Sequence, residues 1–108
     1  MVTNKQLNVV DMTGEFMAVV RSNSWWTYVG MVHYVPEIRS WVIEDSINVF
    51  RHPVNGSTGG VLSVAEVGLM EDFEWRPAPG VIIQPEASIA FIAPLTDVAR
   101  VSIKKAKK

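Results

Sequence analysis

The segment "NGSTGG", residues 55–60, is the first place where the sequence resembles a binding loop. A phosphate-binding loop needs Gly-Lys-Ser/Thr followed by a helix whose N-terminus faces the phosphate. No Lys follows here, and the next residues are typical of a strand. Asn55-Gly56-Ser57 also matches the N-glycosylation pattern, but no secretory signal is recognisable. The sequence therefore predicts a hairpin turn, in which Asn and Gly adopt positive φ at little cost.

The two histidines do not form a metal-binding motif. A cupin metal site needs a close His-x-His pair with a nearby Glu and a later His, whereas His33 and His52 are isolated. We expect His33, within an aromatic strand, to be a packed or interface side chain, and His52 to end a strand. No metal or other cofactor is expected.

Acidic residues cluster at Glu44-Asp45 and at Glu71, Asp72 and Glu74. Paired carboxylates can act as acid and base in glycoside hydrolysis, and the adjacent Trp75 could stack on a sugar. However, neighbouring side chains of a strand point to opposite faces, and acidic runs at turns are usually solvated. With no Gly-x-Ser-x-Gly motif either, we expect no enzyme, and carbohydrate binding is the alternative function.

The amino-acid composition excludes further classes of protein. The chain has 108 residues, of which 48% are hydrophobic and 19% charged, so we expect one domain over residues 1–108. A net charge of −1 argues against direct nucleic-acid binding, which needs a basic excess. The absence of Cys excludes disulfides and thiolate chemistry. The longest uncharged stretch, residues 22–36, is too short to span a membrane, and we expect synthesis in a cytoplasm.

Strand patterns dominate the elements that would position these residues. Eight or nine short strands separated by turn residues predict an all-β fold, specifically a small antiparallel β-sandwich of the jelly-roll kind. The predicted strands are residues 7–12, 16–21, 25–35, 41–51, 60–67, 72–75, 80–84, 88–93 and 99–106.

The segment 36–51 is ambiguous. Pro36 is suited to the first turn of a helix, and Ile38, Trp41 and Val42 have helical spacing. The strand interpretation is favoured, with a loop or short helical turn before residue 41. It places Trp41, Ile43, Ile47 and Val49 on one face, with Asp45 alone out of place.

The strand 25–35 has aromatic and β-branched residues on both faces, which indicates a second buried side or a partner. If Trp25 points inward, the opposite face is an exposed patch that we expect to bind a partner. That face carries Trp26, Tyr28, Val32 and Tyr34. We expect the N-terminal segment 1–7 to assist it.

The C-terminal sequence "SIKKAKK" is rich in lysine. It is interpreted either as a solubilising chain end or as a basic arm that reaches an acidic neighbour. The second interpretation adds Lys104, Lys105, Lys107 and Lys108 to the predicted interface.

The chain from residue 47 onward resembles small jelly-roll or sandwich domains of tailed-phage virion proteins, including capsid decoration or cement proteins. The resemblance rests on "INVFRHP", a Gly-rich loop, "GVLSVAEV", "PGVIIQPEASIAFIAP" and "VARVSIKKA". It implies a structural virion protein on the capsid exterior that bridges coat-protein subunits or its own copies. Such domains have no catalytic residues to carry over. A surface glycan is the ligand of the alternative, a carbohydrate-binding sandwich module.

Overall fold

Six antiparallel strands form one sheet in the computed structural model, which describes residues 14–24, 26–51, 62–69 and 73–107. The strands are β1 (Phe16–Ser22), β2 (Thr27–Val35), β3 (Ser40–Arg51), β4 (Glu74–Ala78), β5 (Ile82–Pro85) and β6 (Ile89–Pro94). Two α-helices, α1 (Leu62–Val67) and α2 (Asp97–Ala106), complete these regions together with 3-10 turns at Pro36–Ile38 and Glu86–Ser88.

The long strand β3 organises the sheet. The strand order is β4-β3-β2-β1-β6, and β5 also pairs with β3. Because β4 pairs with residues 46–51 of β3 and β5 pairs with residues 40–43, the two short strands follow one another along the same edge. The sheet is therefore five strands wide.

The predicted antiparallel β-rich fold is confirmed, and strands β1, β2 and β3 match the predicted segments 16–21, 25–35 and 41–51. The 3-10 turn over Pro36–Ile38 is the short helical turn expected before β3. A two-sheet jelly roll of eight or nine strands is not confirmed, because the described residues contain six strands in one sheet. The predicted strand 7–12 and the loop 55–60 lie outside the described residues.

Two predicted strands are helices, so these predictions were wrong. Residues 60–67 contain α1, which ends at Gly68 with φ of 88° and a hydrogen bond from its N–H to the Val64 carbonyl (3.0 Å). Residues 99–106 belong to α2. The Thr96 side chain caps this helix by accepting from the Ala99 N–H at 3.1 Å. Ala99 and Ile103, four residues apart, form its buried side.

The C-terminal end of α1 packs against the N-terminal half of α2. The Thr96 N–H donates to the Ala65 carbonyl (2.9 Å), and the Thr96 hydroxyl donates to the Glu66 carbonyl (2.6 Å). These bonds satisfy carbonyls at the C-terminal end of α1 that have no partner within the helix. The Leu69 N–H donates to Ser102 Oγ at 3.1 Å. The start of α2 thus fixes the end of α1.

A bulge at Asp45 divides β3 into two halves. Val29 pairs with Ile47 but Met31 pairs with Glu44, so the single residue Gly30 faces both Asp45 and Ser46. Asp45 adopts a φ of 49°. The extra residue reverses the alternation, so the prediction that Ile47 and Val49 share a face with Trp41 and Ile43 was wrong. After the bulge, the face of Trp41 and Ile43 continues with Ser46, Asn48 and Phe50.

Each face of the sheet has its own apolar cluster. On the helix side, strand residues pack with the buried sides of α1 and α2. These core residues are Val19, Val29, Ile47, Val49, Val64, Ala65, Phe73, Leu95, Ala99 and Ile103. On the opposite face, Ala18, Val20, Val32 and Ile43 are fully buried. Larger, half-buried side chains surround them: Phe16, Tyr28, Trp41, Ile82, Ile89 and Ile92.

Helix α2 crosses the sheet from β6 to β3. Its ten residues span about 15 Å, and three interstrand spacings amount to about 14 Å. At its C-terminal end, Lys107 Nζ lies 3.0 Å from Asp45 Oδ1 and also donates to the Asp45 carbonyl. The helix is thereby anchored at the β3 bulge. Neither of the described helices has the length and apolar character needed to cross a membrane.

Candidate interaction site on the aromatic face

The sheet face opposite the helices carries most of the described aromatic side chains. We call it the aromatic face. It consists of Phe16, Tyr28, Tyr34, Trp41 and Phe50, with Trp26 just before β2. The face results from strand alternation on β1 and β2 and from the bulge in β3, which brings Phe50 to the same side as Trp41.

One end of this face presents exposed aromatic rings. Trp26 is 49% exposed and Phe50 is 51% exposed. Trp26 stacks on Tyr28 with ring centroids 6.5 Å apart and planes 12° apart, and the Arg76 guanidinium lies 5.2 Å from the Phe50 centroid. Tyr28 pairs with Asn48 and Asn48 pairs with Arg76, so these three residues lie side by side across the sheet. We call Trp26, Tyr28, Phe50 and Arg76 the Trp26 cluster.

Polar side chains are buried beside the Trp26 cluster. Asn48 lies between Tyr28 and Arg76 in the sheet, and its Nδ2 donates to the Thr27 carbonyl at 2.9 Å. Within the described residues, Asn48 Oδ1 and Ser46 Oγ have no hydrogen-bond partner. A buried polar atom without a partner destabilises a fold. Each of these two atoms can accept a hydrogen bond.

The other end of the aromatic face is held by a polar network. Trp41 contacts Phe16 edge to face (centroids 6.0 Å apart) and Tyr34 at 5.2 Å. The Tyr34 hydroxyl donates to Glu86, and Arg39 contacts the second oxygen of that carboxylate at 2.9 Å. Hydrogen bonds from Tyr34 and then Arg39 lower the pKa of Glu86. The same bond to Glu86 raises the pKa of Tyr34.

The structure places the predicted aromatic residues on one face, but in different environments. Trp26 is exposed, whereas Tyr28 and Tyr34 are half-buried. Val32 is fully buried in the cluster beneath the rings, so the expectation that it is exposed is corrected. Tyr34 is engaged with Glu86 and Trp41. Trp26 and Tyr28 are the predicted residues that belong to the exposed end.

The predicted lysines do not join the aromatic residues. Lys104 and Lys105 are exposed in the last turn of α2, on the helix side of the sheet. Lys107 is only 23% exposed and pairs with Asp45, which explains why it is not a free basic arm. Lys108 and the segment 1–7 lie outside the described residues.

A cavity of about 270 Å³ lies on the helix side, beside the end of α2. Trp75 and Pro77 of β4 contribute apolar surface, and the Asp45–Lys107 ion pair contributes charge. The remaining lining residues are Ser46, Ile47 and Ala78. The arrangement combines an aromatic ring with one acceptor and one donor group.

The candidate catalytic side chains are dispersed. His33 lies on β2, with Nδ1 4.0 Å from Glu15 Oε2. Asp45 is held by Lys107 at the bulge, while Glu74 begins β4. In the described parts of the chain, no three His, Asp or Glu residues are close enough to hold a metal ion. His52, Glu71 and Asp72 lie outside the described residues.

Phe50 was not predicted because strict alternation through Asp45 places it on the other face, and Arg76 was not predicted because its position depends on the pairing of β4 with β3. The misplaced acid was the available signal, since Asp in an apolar strand pattern is typical of a bulge or turn. Together, the described residues form a small antiparallel sheet with two helices on one side and a partly exposed aromatic surface on the other. The chain matches no protein-family model, no curated protein and no solved structure.

Proposed function

We propose that the protein is a non-enzymatic structural protein that binds another protein through the Trp26 cluster. The observation that carries this proposal is the pair of half-exposed aromatic side chains, Trp26 and Phe50, at one end of the same sheet face. Trp, Tyr and Arg are the residue types that most often dominate binding energy at protein interfaces. All three occur in this cluster.

The physical setting favours binding. Trp26 is supported by Tyr28, and Phe50 by Arg76, so little side-chain freedom is lost when a partner covers them. Apolar surface removed from water contributes about 25 cal/mol per Å². Because β2 and β3 are paired on both edges, the surface is presented by a rigid element.

The partner we propose is the major capsid protein of a tailed phage, or neighbouring copies of this chain on the capsid. The protein would be made in the host cytoplasm and would decorate or cement the capsid exterior by bridging coat subunits. The resemblance of the chain from residue 47 onward to such virion proteins supports this choice. In this proposal, the second layer of the expected sandwich is supplied by the partner that covers the aromatic face.

Co-sedimentation with capsids that lack decoration tests the proposal. Trp26→Ser and Phe50→Ser should each reduce the bound fraction at both low and high salt, since apolar contacts are not screened. Val98→Ser is the matched control, because Val98 is 63% exposed but lies on α2. Binding that survives the double variant Trp26→Ser/Phe50→Ser, with the fold intact by circular dichroism, contradicts the proposal.

The second candidate function is carbohydrate binding, favoured by the cavity between α2 and β4. An aromatic ring can stack on a sugar ring while charged groups bind its hydroxyls, and Trp75 lies beside Asp45 and Lys107. Tryptophan fluorescence should then change on titration with one member of a polysaccharide panel. Trp75→Phe should remove the change and Trp26→Phe should leave it. An unchanged signal across the panel contradicts this candidate.

A further inference from the structure

The two edges of the sheet differ in how they are protected against pairing with another strand. The edge formed by β4 and β5 carries Glu74, Arg76, Pro77 and Pro85, with Pro79 between the two strands. Charged residues and prolines are the usual means of blocking an edge strand. The other edge is β6, with the sequence "IAFIAP", which has no charged residue and a single proline at its end.

The hydrogen bonds of β6 show which of its backbone groups face outward. The Leu95 N–H donates to the Met17 carbonyl of β1 at 3.0 Å. Antiparallel strands exchange backbone hydrogen bonds at every second residue. The backbone groups of the pairs Val19–Ala93 and Arg21–Phe91 therefore also point towards each other between β1 and β6. Ile92 then directs both its N–H and its carbonyl away from β1, as Pro94 does with its carbonyl. No other strand in the described regions pairs with this side of β6.

We propose that a second copy of this chain pairs with β6 edge to edge, antiparallel, around a twofold axis at Ile92. In a twofold antiparallel contact one residue lies opposite its own symmetry mate, and the two exchange a pair of hydrogen bonds when the N–H and carbonyl of that residue both face outward. Ile92 meets this requirement, because its N–H and carbonyl face the same way. The absence of charge on β6 means that no like charges face each other across the axis.

The course of α2 is compatible with this contact. The helix starts next to β6 at Thr96 and runs inward to the β3 bulge, where Lys107 pairs with Asp45. It therefore leads away from the β6 edge. Pairing would join two five-strand-wide sheets into one continuous sheet with both aromatic faces on the same side, because directly opposite residues of an antiparallel pair place their side chains on the same face.

The dimer should be weak in dilute solution, because the contact is a single short strand and small interfaces bind weakly. Copies held side by side on a larger assembly would pair more readily, since their effective concentration is high. The inference does not depend on what binds the Trp26 cluster.

Sedimentation equilibrium over a range of protein concentrations tests the proposal. The mass should rise from 12.0 kDa towards twice that value as concentration increases. Ala90→Lys, which places a charge at an exposed position of β6, should hold the mass at the monomer value. Val81→Lys is the matched control, because Val81 is 55% exposed between β4 and β5, and it should dimerise normally.

Amide hydrogen exchange by NMR identifies the contact itself. The Ile92 amide should exchange more slowly as the concentration of the full chain rises, and Ala90→Lys should abolish that dependence. A monomer at every concentration overturns the proposal, as does a dimer whose Ile92 amide exchanges at a constant rate. Trp26→Ser should leave the dimer intact, so failure of the capsid-binding proposal is distinguishable from failure of this one.

Discussion

Gly30 of β2 lies against Ser46 of β3 so closely that a Cβ atom on Gly30 would be 2.7 Å from the Ser46 Cβ. The same atom would lie 2.7 Å from the Glu44 carbonyl oxygen. This contact exists because the bulge places two residues of β3 opposite one residue of β2. Glycine is therefore required at position 30 by space, and the bulge depends on it.

Gly30→Ala should lower the free energy of unfolding by about 1–3 kcal/mol, the usual cost of overpacking a core. Backbone atoms at 2.7 Å cannot move aside as a flexible side chain would. Urea denaturation measures the change. Gly14→Ala is the control, because a Cβ there has nothing within 4 Å, and it should leave stability unchanged. Equal stability of the two variants would contradict the close approach.

Two substitutions at Asp45 distinguish the role of its positive φ from the role of its ion pair with Lys107. Asp45→Asn keeps a residue type that tolerates positive φ but removes the ion pair with Lys107, an exposed interaction worth about 0–1 kcal/mol. Asp45→Val should cost about 1–2 kcal/mol more, because a β-branched residue is strained at φ of 49°. Thermal or urea unfolding of both variants gives the comparison. A Val variant as stable as the Asn variant would show that the bulge had relaxed.

Glu86 should make the fold sensitive to acid. Its pKa in the folded protein is lowered from the ordinary value of 4.5 by hydrogen bonds from Tyr34 and Arg39. A lowered folded-state pKa means that the contribution is fully present above the unfolded-state pKa and is lost as pH falls through the folded-state pKa. The stability difference between the native protein and Glu86→Gln should therefore be largest near neutral pH and shrink below about pH 4.5.

Unfolding of the two proteins at a series of pH values measures this difference. Tyr34→Phe should also make stability less dependent on acid pH, as Glu86→Gln does, because it removes the principal hydrogen bond to Glu86. Glu37→Gln serves as the control in the neighbouring turn and should follow the native profile. A constant difference between the native protein and Glu86→Gln across pH would exclude the proposed linkage.

Thr96→Ala should destabilise the protein by about 0.5–2 kcal/mol, the range observed for loss of a helix N-cap. The change removes the bond that the side chain accepts from the Ala99 N–H and the bond that it donates to the Glu66 carbonyl. Thr96→Ser keeps the hydroxyl and should retain most of the stability. A serine variant as unstable as the alanine variant would indicate that the methyl group, not the cap, is responsible.

The sequence was sufficient for strands whose two faces alternate without interruption. Residues 16–22 and 27–35 form strands as expected, because both contain several β-branched and aromatic residues and they pair with each other without a register shift. Residues 99–106, in contrast, belong to a helix and not to the predicted strand. The helical signals were Thr96 before an acidic first turn, Ala99 and Ile103 four residues apart, and lysines in the last turn.

The candidate site was predictable only in part. Trp26 and Tyr28 follow from the alternation of one strand, but Phe50 and Arg76 depend on tertiary pairing. Arg76 reaches Phe50 because β4 returns along the far edge of β3, and strand order is not readable from local patterns. The bulge, in which Asp45 and Ser46 lie opposite the single residue Gly30, then determines which face of the sheet Phe50 occupies.

The bulge also gives the two halves of β3 opposite rules for which residues face the aromatic side of the sheet and which face the helices. Residues 40–44 and 46–49 belong to one strand, yet odd-numbered positions face the aromatic side in the first half and the helix side in the second. Substitutions that reshape the surface around Phe50 therefore leave the alternation near Trp41 untouched. Deletion of residue 45, in contrast, would reverse the alternation of side chains over the remainder of β3. Ile47 and Val49 would move out of the helix-side core to the aromatic face, and Phe50 would turn towards the helices.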